Sequence, residues 1–124
     1  MTGRVHAPPG WPKGVLPPGV PDWEATAANW LLDHCPPEYR GYAVMRRHVV
    51  VLARFAALHV DASRDAVRRG VSEARAALRG VIATEVIESA ILAWQREDAR
   101  LQALRREVRL VEDALHGRRF VRRI

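Results

Sequence analysis

Two apolar seams on either side of Gly80 constrain this chain more than any other feature of its sequence. Before the glycine, Val49, Leu52, Ala56, Val60, Ser63, Val67, Val71, Ala74 and Leu78 are spaced 3, 4, 4, 3, 4, 4, 3 and 4 apart. Such an 11-residue repeat keeps one face of a nearly straight helix apolar. After it, Ile87, Ala90, Trp94, Glu97, Leu101, Leu104, Val108, Val111 and Leu115 alternate 3 and 4 without a break. That is the seam of a coiled coil with one polar intruder. Two long helices joined by a few residues must return antiparallel, so the expected fold is all-α, a long antiparallel helical hairpin. Folding about Gly80 sets Leu104 opposite Ala56, Val108 opposite Leu52 and Leu115 opposite Met45. It also brings Glu97 beside Ser63 and Arg64, where a Glu97–Arg64 pair would fix the register.

The rest of the chain reads as attachments to that hairpin. Residues 1–21 hold six of the prolines and four of the glycines, a density no helix survives, so an extended arm is expected. Trp11, Val15 and Leu16 would pin the arm to a helical surface. A short helix over about 22–35 should begin with Asp22 as its N-cap and end at Pro36 and Pro37. Trp23, Ala27, Trp30 and Leu31 line its inner face. The long helices are expected over about 42–79 and 84–116, with Gly70 and the polar patch His59 to Ser63 as points of weakness or bending, and Thr84 as a cap. Residues 22–117 thus make the helical domain, and 118–124 a basic tail.

Composition excludes several classes of function. The single cysteine, Cys35, allows no internal disulfide and fits a reducing compartment. No signal peptide is apparent, and the longest apolar run is far too short to span a bilayer, so a cytoplasmic protein without membrane contact is expected. His48 and His59 share a helical face three turns apart, too far to hold one metal. His34 and Cys35 have no partner at ligand spacing. No phosphate-cradling loop, nucleophile elbow, HExxH or CxxC occurs. The acidic pairs Glu85 with Glu88 and Glu112 with Asp113 read as solvated helix surface. The expectation is therefore a non-enzyme with no cofactor, no metal and no small-molecule substrate.

Two surfaces could bind a macromolecule. A helix of about a dozen residues is only some 18 Å long, so helix one and the arm should cover the hairpin near the chain ends and leave its turn bare. There Val86, Ile87, Ala90, Ile91 and Trp94 form a stripe wider than one seam uses, which marks a protein interface. The first expectation is a homodimer through that end, serving as an adaptor or assembly protein; a different protein partner comes second. The alternative is a nucleic-acid-associated role. Much of the net charge of +6 falls in residues 46–80. Arg64, Arg68, Arg75 and Arg79 share one face there, and Arg118, Arg119, Arg122 and Arg123 follow in the tail. Such a stripe can track phosphates. Neutralisation by Asp65 and Glu73 at helical spacing argues instead for a solvated face.

Between Pro8 and Leu58 the phrases PPGWP, PPGVPDWE, WLLDHCPPEYRGY and RRHVVVLARFA stand out. Over that stretch the chain resembles a family of small uncharacterised helical proteins from actinobacteria. The resemblance implies a cytoplasmic bacterial protein of about this size, and no activity, ligand or site residue.

Overall fold

The computed structural model describes residues 7–117. They form α1 (Trp23–Asp33), a short 3-10 turn (Pro37–Gly41), α2 (Ala43–Arg47), α3 (Val49–Leu78) and α4 (Thr84–Leu115). No strand occurs among the described residues. The 30-residue α3 and the 32-residue α4 pack closely against each other as an antiparallel hairpin. Both seams face inward. Each of the nine α3 positions is buried or half-buried, and so is each of the nine on α4. Gly80 ends α3 in the left-handed region at φ 77°, a conformation that favours glycine, and Gly117 ends α4 the same way.

The described residues divide into two compact units, one made of 7–59 and 106–117, the other of Val60–Arg105. In the first unit the core is Ala27, Leu31 and Leu32 of α1, Met45 of α2, Leu52, Ala53 and Ala56 of α3, and Val108 and Val111 of α4, with Val15 from the arm. In the second unit Ala74, Ile87 and Ile91 form a buried cluster against which Val71, Leu78 and Trp94 pack. Gly70 lies under the Trp94 ring; a Cβ there would be 3.6 Å from it.

The arm is folded back on its own unit and is built as a series of turns. Trp11 N–H donates to Pro8 O at 3.0 Å and Val20 N–H to Pro17 O at 3.2 Å. In each case proline precedes a glycine of positive φ, Gly10 or Gly19, the arrangement of a type II turn. Between them Trp11 Nε1–H donates to Val15 O at 2.9 Å, and the Trp11 and Trp23 rings lie 6.2 Å apart. Gly14 gives Trp30 its space, since a Cβ on it would lie 3.0 Å from that ring.

Three local expectations are corrected. Asp22 does not cap α1 with its side chain: it occupies the left-handed position (φ 68°) of a turn closed by Trp23 N–H to Val20 O at 3.1 Å. Thr26 does the local bonding instead, its hydroxyl accepting from Leu16 N–H at 3.0 Å and donating to Trp23 O at 2.7 Å. The helix expected over 42–79 is broken at His48 (φ −122°, ψ 83°), where no proline or glycine signals it, whereas α3 runs unbroken through His59 to Ser63. Ile87 N–H donates to Ala83 O at 3.2 Å, so Ala83 rather than Thr84 holds the cap position of α4.

Candidate interaction surfaces

The hairpin aligns acids of α4 with the arginine face of α3. Arg64 donates to Asp98 at 3.1 Å, and Arg68 approaches the same oxygen at 3.6 Å. Arg75 grips Glu88 with both ends of its guanidinium, at 2.8 and 2.9 Å. Arg105 of α4 bonds Asp61 of α3 in turn. The expected Glu97–Arg64 pair is therefore off by one residue: Asp98 takes Arg64, and Glu97 is held by Arg100 of its own helix at 2.6 Å. The level at which the polar interruptions meet is as expected, but Asp98 rather than Glu97 supplies the partner.

These contacts spend much of the arginine stripe inside the protein. Arg64, Arg68 and Arg75 each meet a carboxylate across the hairpin, and Arg69 pairs with Glu73 one turn on at 3.3 Å. Among the described residues Arg79 alone of the four stripe arginines makes no ion pair. Arg118, Arg119, Arg122 and Arg123 lie outside the described residues. The bidentate bond from Arg75 holds the Glu88 carboxyl below the usual carboxylate range and raises the Arg75 guanidinium. The bond from Arg100 likewise lowers Glu97.

At the turn end of the second unit the expected apolar stripe separates into two sets. Ile87 and Ile91, at 5% and 3% exposed, are core of the hairpin itself, with Ala90 and Trp94 half-buried beside them. They are not a free surface, because the α3 seam at Val71, Ala74 and Leu78 uses them. Val86 is exposed as expected. With it stand Val81, 77% exposed, and Ile82, both in the turn, and Leu92 farther along α4. Val81 and Ile82 stand in the turn, outside both helical periods, so neither seam includes them.

In the first unit a second apolar surface is bare. Phe55 is 42% and Leu58 52% exposed, and Tyr42, Val44 and Val50 are exposed as well. The expectation that α1 and the arm would cover this end is corrected: they bury Leu52, Ala53 and Ala56 and leave the neighbouring face of α3 open. The same unit corrects the reading of Glu112 as solvated surface. It is 9% exposed, and its Oε2 lies 3.3 Å from Arg54 Nε without a well-formed hydrogen bond.

Among the described residues no cluster of three or more potential ligands could hold a metal, and no helix is long and apolar enough to cross a membrane. Partial burial raises the Cys35 thiol above its ordinary pKa. No family model, curated protein or solved structure matches the chain.

Proposed function

We propose that this chain is a non-enzymatic, cytoplasmic interaction protein, an adaptor or assembly factor that self-associates through the turn end of its α3–α4 hairpin. The observation that carries this reading is the exposure of Val81, Ile82 and Val86 within six residues of one another. Single exposed aliphatics are ordinary, but large ones grouped at one end of a helical pair favour removal from water by a second surface. A second copy presents the same residues and can meet them about a two-fold axis.

The nucleic-acid alternative has less support, because the arginines that would track phosphates already hold carboxylates. Exchanging those bonds for phosphate contacts would leave Asp98 and Glu88 without partners. It keeps Arg79 and the four arginines of residues 118–124 as its remaining resources.

The test is sedimentation equilibrium over a wide concentration range, with Ile82→Asp/Val86→Asp beside the parent chain. Both replaced residues are exposed, so helicity should persist while the parent dimer becomes a monomer. Replacement of Ile87 or Ile91 would not serve, since it attacks the core. A parent mass that stays monomeric, or one unchanged by the double substitution, rules out the proposal. Duplex binding that weakens steeply with salt and is lost in Arg79→Glu would favour the alternative.

A further inference from the structure

We propose that the exposed face of α3 in the first unit docks an acidic amphipathic helix of another protein. Val51, Phe55 and Leu58 succeed one another at spacings of 4 and 3, so they form a second stripe along α3, separate from the buried seam through Leu52 and Ala56. Val51 is half-buried while Phe55 and Leu58 are exposed, so the stripe has a rooted end and an open one. Its rhythm is that of a helix accepting one further helix alongside, with anchors at i, i+3 or i+4 and i+7.

Charge selects the occupant. Between Glu38 and Asp61 the sequence contains no acidic residue, while Arg40, Arg46, Arg47 and Arg54 all fall there. Arg40 is held by Asp33, and Arg54 by Glu112. Arg46 and Arg47 are exposed and, among the described residues, have no acidic partner. Within α3 Arg54 flanks the Phe55–Leu58 stripe at helical spacing, and Arg46 and Arg47 stand on α2, just across the break at His48 from its Val51 end. A partner that buries Phe55 and Leu58 must therefore carry carboxylates beside its own apolar anchors. A second copy fits poorly, because it would bring the same arginines against these.

Recognition here is independent of self-association at the turn end, which uses residues of the other unit. The two surfaces together would let one chain join a copy of itself to a different protein.

The experiment uses the full chain and a fluorescein-labelled helical peptide with leucines at a and d and glutamates at the flanking positions. Its lysine counterpart serves as the control. Anisotropy should show saturable binding of the glutamate peptide that weakens with salt, and at least ten-fold weaker binding of the lysine peptide. Phe55→Ser/Leu58→Ser should weaken binding about ten-fold or more, as should Arg46→Glu/Arg47→Glu, which leaves every apolar residue in place. Ile82→Asp/Val86→Asp should not change it, which separates this surface from the self-associating one. No binding of the glutamate peptide, equal binding of both peptides, or indifference to Arg46→Glu/Arg47→Glu overturns the proposal. Stronger capture by phosphatidylserine vesicles or duplex RNA, with the same sensitivity to Phe55→Ser/Leu58→Ser, overturns it in favour of that partner.

Discussion

Gly70 sits in the interior of α3 with the Trp94 ring over it, and the consequence of replacing it with alanine follows from two quantities. The first is backbone entropy: glycine within a helix costs about 1 kcal/mol relative to alanine. The second is space. A Cβ at position 70 would meet Trp94 Cε3 at 3.6 Å and two further ring atoms at 3.7 Å, ordinary van der Waals distances that require no movement. Both effects have the same sign, because the methyl also gains dispersion contacts of about 0.1–0.2 kcal/mol each with the ring. Gly70→Ala should therefore stabilise the second unit by about 1 kcal/mol, raising its melting temperature by about 4 °C. Gly70→Leu should do the reverse, because its branches would have to displace Trp94 from the cluster of Ala74, Ile87 and Ile91. The assay is thermal unfolding followed by far-ultraviolet circular dichroism and by tryptophan emission, in parent and both variants. A lower melting temperature for Gly70→Ala would refute the reasoning, for it would mean that the helices approach more closely at this level than the Trp94 contact allows.

Other consequences can be checked with the same material. Arg54→Ala should destabilise the first unit by about 1–3 kcal/mol, because it leaves the Glu112 carboxylate buried without its cation; the half-exposed Arg54 keeps the cost at the low end. Glu112→Leu should be neutral or stabilising in urea titration. The Glu88 carboxyl is lowered by Arg75, so the stability it contributes is present above its unfolded pKa and is lost as pH falls through the lower folded value. Glu88→Gln should flatten acid unfolding of the second unit within that window, monitored by Trp94 emission in a chain whose other tryptophans are phenylalanine. Leu52→Ala should cost about 2–5 kcal/mol in chemical denaturation, since the side chain is fully buried in a packed seam. Asp22→Gly should be neutral or slightly stabilising and Asp22→Ala destabilising, because the position is left-handed and its side chain makes no cap bond.

The hairpin was legible because its signal is repeated: nine positions on each helix obey one period, and the burial of each side chain follows from that period alone. The register is less legible: Arg64 meets the residue next to its expected partner, but Gly70 against Trp94, Asp61 against Arg105 and Arg54 against Glu112 lie farther from an alignment folded about Gly80. Glu97 and Asp98 are adjacent, and only the rotation of α4 at that level decides which of them reaches Arg64. The break at His48 has no local signal, because Arg47, His48 and Val49 are each acceptable inside a helix. Glu112 is not legible from the sequence, because its neighbour Asp113 and the nearby arginines suggest a solvated face, while the position is a core flank in the folded unit. The stripe at the turn was half legible: an excess of apolar residues was visible, but which of them the α3 seam would take depended on rotation about the helix axis. Phe55 and Leu58 lie in apolar surroundings that suggest cover, but they stand on the face of α3 turned away from the buried Leu52 and Ala56.

Self-association through the turn end is tested most directly by distance measurement between copies. With Cys35→Ser removing the natural thiol, a nitroxide on Ala83→Cys reports the separation of two turn ends by pulsed electron resonance. A dimer joined at the turn ends gives a narrow short-distance peak that disappears on dilution with unlabelled chain and in the Ile82→Asp/Val86→Asp background. A featureless background decay at concentrations where the parent chain is dimeric would contradict it, since the copies would then be meeting elsewhere.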